Sequence, residues 1–188
     1  MSLFSNWDIL PQFPERKLAI GERLAHDSGA SLGKRIEAIQ AWEVGRLGDA
    51  VVWCLVVSAS GQAFERRGVE YQTSFAGFTR GELMGADLSH THIRGWPPSA
   101  SDLRVVLDLP KYTEFRVARS ARPTNVLWRN TDRPVTNAES SAEISAAHRR
   151  VAGRSGRDAR QAERAELFWN EMQSKLSGLG IEWREENR

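Results

Sequence analysis

The stretch AVVWCLVVSASGQAFERRG, from Ala50 to Gly68, decides the fold class of this chain. Its first half, Val51 to Val57, is a nearly continuous apolar run rich in β-branched side chains, which is typical of a strand buried on both faces. Ser58 to Gln62 has the composition of a turn, and Ala63 to Arg66 begins a return strand. The stretch therefore predicts a hairpin whose first strand is covered by other elements on both faces.

Helices and further strands are predicted on either side of this hairpin. A helix capped by Ser31 runs through about Val44. Ser99, with Asp102 three residues later, resembles a capping box and opens a helix that Pro110 stops. The further strands are Ala86 to Thr91, Glu114 to Arg119 and Thr124 to Asn130. This order predicts an α/β chain of the α+β type, with a mixed β-sheet flanked by helices.

The two ends of the chain differ in character from residues 31–130, which we predict to be the main domain. Residues 1–30 suggest an aromatic-rich arm and a short helix at Glu15 to His26. Residues 131–188 suggest a linker and a C-terminal helical extension. The extension carries an apolar stripe, which either packs on the domain or binds a partner; its members are Ala162, Ala165, Leu167, Phe168, Met172 and Leu176.

Composition narrows the classes of function. The net charge of the 188-residue chain is only +2, so no global field favours a nucleic-acid partner. Phe115 to Arg164 is locally basic, with eleven Arg against five Asp or Glu, and the simplest interpretation is a solvated surface. The single cysteine, Cys54, excludes an internal disulfide. We see no signal peptide and no apolar run that could span a membrane, and we expect a cytoplasmic protein without a membrane partner.

Two histidines mark the end of the predicted strand at Ala86 to Thr91. The period of two places His90 and His92 on the same side of that strand, where two neutral imidazoles could bind zinc. Asp102 follows ten residues after His92 and could return as a third ligand, leaving the fourth position to water. The alternative is an ordinary strand end whose histidines are satisfied polar groups.

The stretch SHTHIRGWPPSASD, Ser89 to Asp102, resembles the signature of the JAMM (MPN+/JAB) metalloprotease family, most closely its RadC-like and phage-type members. That signature is an upstream Glu, then H-x-H-P, a short loop and S-x-x-D. The resemblance covers residues 31–130. It implies a JAB/MPN-like fold and a zinc-dependent hydrolase of a peptide or isopeptide bond, acting on a peptide or protein substrate such as a ubiquitin-like one.

The resemblance also implies roles for individual residues. His90, His92 and Asp102 match the zinc ligands of the family. Ser99 matches the serine whose hydroxyl helps to hold the oxyanion of the tetrahedral intermediate.

The upstream glutamate of the family, which is the general base, corresponds best to Glu43 by distance along the chain, with Glu37 as a second choice. Trp96, between the matched ligands, either lines the substrate groove or simply covers the site. The chain departs from the signature at Ile93, which replaces the proline after H-x-H, and in a His-to-Ser loop that is one residue shorter. These departures leave open a metal-free scaffold of the same fold that acts as a binding or assembly module.

Overall fold

A computed structural model of the chain describes residues 16–17, 32–68, 75, 78, 80–110, 113–129, 136–154 and 160–187. They form a mixed seven-stranded sheet with helices packed on both of its faces. The strands are β1 (Arg16–Lys17), β2 (Trp53–Val57), β3 (Ala63–Arg67), β4 (Asp87–His92), β5 (Glu114–Arg119), β6 (Thr124–Arg129) and β7 (Ile181–Glu186). The helices are α1 (Leu32–Arg46), α2 (Arg80–Leu83), α3 (Ala100–Asp108), α4 (Asn137–Arg154), α5 (Gln161–Gln173) and a short 3₁₀ helix at Ser177–Leu179. The predicted fold class, a mixed sheet flanked by helices, is confirmed.

The order of the strands places the end of β4 beside the end of β5. The sheet runs β1-β3-β2-β4-β5-β6-β7, and within the described residues β4 and β5 are its one parallel pair. A parallel connection needs a crossover element, which here is α3. The carboxyl ends of both strands therefore meet at one edge of the sheet, with His92 in register with Arg119.

Strand β2 is buried on both faces, as its apolar run predicted. Cys54 and Val56 face the larger core, which also contains side chains of α3, α4 and α5. Leu55 and Val57 face a smaller core formed with α1. The two cores lie on opposite faces of the sheet, because successive side chains of a strand alternate between them.

The C-terminal part belongs to the same core as the rest of the chain. Residues 181–186 form β7, which pairs antiparallel with β6 along its whole length, in a region that the sequence predicted to be a helical extension. The predicted apolar stripe packs on the domain through Phe168, Met172 and Leu176, while Leu167 is 45% exposed. The boundary predicted near residue 130 therefore does not separate two cores.

The predicted N-terminal arm lies largely outside the described residues. Arg16 and Lys17 form β1 along the edge strand β3, at a place where the sequence predicted a short helix. No helix in the described part of the chain is both long and apolar enough to cross a membrane.

Candidate metal centre

His90 and His92 meet at the end of β4, on the face of the sheet that carries the larger core. The alternation of the strand directs both rings to this face, where their centroids are 4.6 Å apart. The ring of His90 also packs on Phe115 of the neighbouring strand. The two Nε2 atoms are 2.8 Å apart, so each histidine presents the same nitrogen to one point in space.

Asp102 reaches the two imidazoles from the first turn of α3. Its Oδ1 is 3.3 Å from Nε2 of His90, and its Oδ2 is 3.6 Å from Nε2 of His92. The predicted capping box is present: the Ser99 amide donates to Asp102 Oδ2 over 2.6 Å, and the Asp102 amide donates to Ser99 Oγ over 3.3 Å. The same capping box that starts the helix therefore fixes the carboxylate beside the histidines, and the short His-to-Ser loop does not pull it away.

These three side chains form a group that could hold a metal ion, with one ligand atom from each lying within 4.8 Å of the others. Ligands about 2.05 Å from a tetrahedral zinc ion are separated from one another by roughly 3.3 Å. The separations of 3.3 and 3.6 Å to Asp102 bracket this value, and the 2.8 Å between His90 and His92 is about half an ångström shorter. A small outward rotation of one ring is therefore the adjustment that a bound ion requires.

The tautomer of His92 is set by the loop that follows β4. Nδ1 of His92 lies 2.8 Å from the carbonyl oxygen of Trp96, which can only accept a hydrogen bond. Nδ1 therefore carries a proton, and Nε2 is the nitrogen that faces the cluster. This is the arrangement by which a backbone carbonyl usually orients a metal-binding histidine.

Gly95 makes the course of that loop possible. Its φ is +68°, and a Cβ atom at this position would lie 2.7 Å from the carbonyl oxygen of Ser120. The buried side chain of Arg119 donates through Nε to the Gly95 carbonyl oxygen over 3.1 Å. The loop is thereby attached to the end of β5, which holds the Trp96 carbonyl in place beside His92.

His90 is buried and uncharged in the folded protein. Burial lowers the pKa of His90 to about 4, against an opposing effect of the Asp102 carboxylate. Burial acts to raise the pKa of Asp102, but the two imidazoles and the bond from Ser99 outweigh it and the pKa is lowered. Nδ1 of His90 is buried and has no hydrogen-bond partner among the described residues, so no outer group fixes the tautomer of this ring.

Ser99 lies at the entrance to the cluster and is exposed. Its Oγ accepts the Asp102 amide and keeps its own hydrogen available for donation. The hydroxyl thus has a structural role as the helix cap and retains a donor for a ligand.

The structure does not group Glu43, the predicted general base, with the histidines and Asp102. Glu43 is fully buried on α1, across the sheet from the histidines. Its Oε1 accepts from Ser89 Oγ over 2.8 Å and from Arg116 Nε over 2.8 Å, and its Oε2 accepts from Thr124 Oγ1 over 3.2 Å. Ser89 is adjacent to His90 on β4, so its side chain points to the opposite face of the sheet. Glu43, which accepts a hydrogen bond from Ser89, therefore lies on that opposite face.

The carboxylate of Glu43 belongs to a buried ion-pair network. Arg116, whose side chain is fully buried, also donates to Oε2 of Glu186 on β7 over 2.7 Å. Burial opposes the charge of Arg116, but the hydrogen bonds to the two glutamates outweigh it and raise its pKa. Glu37, the second choice for the base, lies exposed on the same helix. Among the described residues, Asp102 is the one carboxylate grouped with the histidines.

A pocket of about 740 Å³ opens beside the cluster, and its lining includes His92 of the cluster and the neighbouring Ser99. Trp96 is among the residues that line the pocket. The other walls are formed by the end of α4 and the start of α5, which the sequence analysis treated as an extension. Four basic side chains of the lining had no predicted role, namely Arg94, Arg104, His148 and Arg164. Of the three arginines among them, only Arg164 belongs to the locally basic stretch Phe115 to Arg164, whose simplest interpretation was a solvated surface.

Comparison of the chain with models of known protein families, with curated proteins and with solved structures finds no match.

Proposed function

We propose that this chain is a zinc-dependent hydrolase that cleaves an amide bond in a peptide or an isopeptide. The observation that carries the proposal is the convergence of two imidazole Nε2 atoms and one buried carboxylate at the edge of a pocket. This set of donors is typical of catalytic zinc, which takes three protein ligands and leaves one position open. The resemblance of SHTHIRGWPPSASD to the JAMM signature supports the same activity.

His90, His92 and Asp102 would hold the ion. Zinc bound there would polarise a carbonyl group and lower the pKa of water into the neutral range. The Trp96 carbonyl would keep the lone pair of His92 directed at the ion, and the capping box would do the same for Asp102. Both arrangements exist in the folded chain, so little reorganisation accompanies binding.

Ser99 and Trp96 would act on the substrate. The free O–H of Ser99, at the border between cluster and pocket, would donate a hydrogen bond to the oxyanion that forms from the scissile carbonyl. Trp96 would provide an apolar wall that excludes water from one side of the reacting group. The proposal assigns no proton transfer to Glu43, because the sheet separates it from the cluster.

Metal content and hydrolysis together test this proposal. We expect about one zinc per chain in purified wild-type protein by elemental mass spectrometry, and its loss in His92→Ala. His148→Ala, which removes an exposed histidine outside the cluster, is the matched control and should retain the metal. Zinc-bound protein should cleave a fluorogenic peptide library, and a chelator should stop the reaction. Absence of zinc from wild-type protein after expression in zinc-supplemented medium would refute the proposal.

A second function, a metal-free module that binds a partner protein, is favoured by one observation. The glutamate that best matches the general base of the family is committed to a structural ion pair on the other face of the sheet. In this case the His92→Ala protein would keep its partner and its function. Unchanged function in His92→Ala, together with the absence of zinc, would decide for the module.

A further inference from the structure

The pocket beside the cluster is basic. Arg94, Arg104, Arg164 and His148 contribute to its lining, and no Asp or Glu is among the described residues that line it. Arg104 donates to Ser145 Oγ over 3.0 Å, and a hydroxyl satisfies a hydrogen bond without neutralising the guanidinium charge. The three arginines come from the loop after β4, from α3 and from α5, so positive charge reaches the pocket from several directions.

The backbone adds to this positive potential. The first residues of α3, Ala100 and Ser101, and the first residue of α5, Gln161, all line the pocket. The N-terminus of a helix carries a partial positive charge and unpaired amide groups. The side chain of Arg160, which precedes α5, makes no capping hydrogen bond to that helix. Two helix N-termini and three arginines therefore favour the same kind of occupant, an anionic one.

The pocket also has an apolar part and a definite size. Val52, Ile93, Trp96, Val151 and Phe168 contribute hydrophobic surface. The guanidinium of Arg94 stands 5.6 Å from the centre of the Trp96 ring, where charge and apolar surface meet. A volume of about 740 Å³ accommodates an extended segment of a few residues. An occupant that matches both parts carries carboxylates together with carbon-rich side chains or backbone.

We infer that this pocket binds an acidic segment of a peptide substrate, next to the amide bond that the cluster cleaves. The inference rests on the proposed hydrolase for its choice of a peptide, while the preference for negative charge rests on the pocket alone. Arginines bind carboxylates through paired, charge-assisted hydrogen bonds, which gives them geometric selectivity that a general positive field lacks. The segment would reach the cluster past Ser99 and His92, which both line the pocket, and His92 is also a member of the cluster.

Fluorescence anisotropy with two labelled peptides tests the inference. One peptide of about eight residues carries several glutamates, and the other has glutamine at the same positions. The measurement uses the full chain as the wild type without added zinc and as His92→Ala, so that hydrolysis does not interfere. At about 0.15 M salt we expect the acidic peptide to bind at least about tenfold more tightly than the glutamine peptide.

Variants identify the residues responsible. The double variant Arg104→Gln/Arg164→Gln should lose most of the preference for the acidic peptide. Arg149→Gln, which removes an exposed arginine of α4 outside the lining, should keep it. If the double variant does not fold, Arg94→Gln removes an exposed charge from the same lining and should lower the preference by itself.

The outcomes separate this inference from the proposed function. Equal affinity for the two peptides, or a preference that survives loss of the lining arginines, would overturn the inference even if zinc and hydrolysis are found. Tighter binding of a single-stranded oligonucleotide of equal charge would overturn it in favour of nucleic acid. A preference for the acidic peptide in a protein that never holds zinc would support the acidic-segment site and refute the hydrolase.

Discussion

Replacing Glu43 by alanine should destabilise the fold and leave zinc binding intact. The substitution removes the acceptor of the fully buried Arg116, and it also leaves the hydroxyls of Ser89 and Thr124 without their buried acceptor. Glu186 remains within 2.7 Å of Arg116, and the side chain of Glu186 is 18% exposed, so part of the charge stays compensated. None of the lost bonds involves His90, His92 or Asp102.

The magnitude follows from the burial of the pair. Removal of one partner from a buried ion pair costs about 3–5 kcal/mol, because the other charge remains desolvated. Each hydroxyl adds about 1 kcal/mol, which the remaining glutamate and local relaxation partly offset. We therefore expect a loss of about 3–5 kcal/mol in the free energy of unfolding. For a chain of this length that corresponds to a decrease in Tm of roughly 6–20 °C.

Urea unfolding followed by tryptophan fluorescence measures the loss, and elemental analysis of the same samples measures zinc. Glu37→Ala removes an exposed glutamate from the same helix and should change the free energy of unfolding by less than about 0.5 kcal/mol. Replacing both partners, in Glu43→Leu/Arg116→Met, should recover much of the lost stability because no buried charge is left unpaired.

The reasoning would be refuted by a Glu43→Ala protein that unfolds within about 1 kcal/mol of the wild type. If that protein also binds zinc and has lost hydrolysis, Glu43 acts at the reacting centre after all. A variant that is destabilised as expected but keeps hydrolysis per folded molecule would support the structural role.

Three further results are expected. Gly95→Ala places a Cβ atom on a residue with φ of +68° and close to the Ser120 carbonyl, so it should lower the free energy of unfolding by more than about 1 kcal/mol. It should also weaken zinc affinity, because it displaces the Trp96 carbonyl. Unchanged affinity in a competition titration with a chelating dye would contradict this. Zinc at about one hundred times its Kd should stabilise zinc-free protein by about 2.7 kcal/mol and raise Tm by roughly 5–11 °C, an effect that His92→Ala should abolish. In zinc-free protein His90 has a pKa of about 4 in the folded state, against about 6.5 in the unfolded state. The unfolded state therefore binds a proton first as the pH falls, so the free energy of unfolding should keep its full value above pH 6.5 and decrease by up to about 3 kcal/mol as the pH approaches 4. Equal free energies of urea unfolding at pH 7 and pH 4.5 would exclude this prediction.

Local patterns predicted the main elements of this fold and the grouping of His90, His92 and Asp102. The apolar run at Val51 to Val57 predicted a strand covered on both faces, and β2 separates two cores as expected. The S-x-x-D spacing predicted a capping box at Ser99 and Asp102, which is present. The period of two predicted that His90 and His92 share one side of a strand, and their Nε2 atoms meet. Each of these depends on residues within one strand or one helical turn.

The assignment of Glu43 could not be made in this way. Its distance along the chain from the histidines matches that of the general base in the family. The face of the sheet on which α1 packs, however, depends on tertiary contacts. The adjacent residues Ser89 and His90 of β4 point to opposite faces of the sheet, so a carboxylate that contacts Ser89 lies on the face away from His90. The missed β7 has the same cause, because its few apolar residues become a strand only through pairing with β6.

The sequence by itself therefore determined the composition of the candidate metal centre, since period-two alternation and helix capping are local consequences of backbone geometry. Only the tertiary structure decided what surrounds that centre. Packing across the sheet withdrew Glu43 into an ion pair with Arg116, and packing of α4 and α5 on the larger core brought Arg164 and His148 beside His92. These residues are far apart in the chain, and burial of apolar surface, which is indifferent to separation along the chain, brings them together.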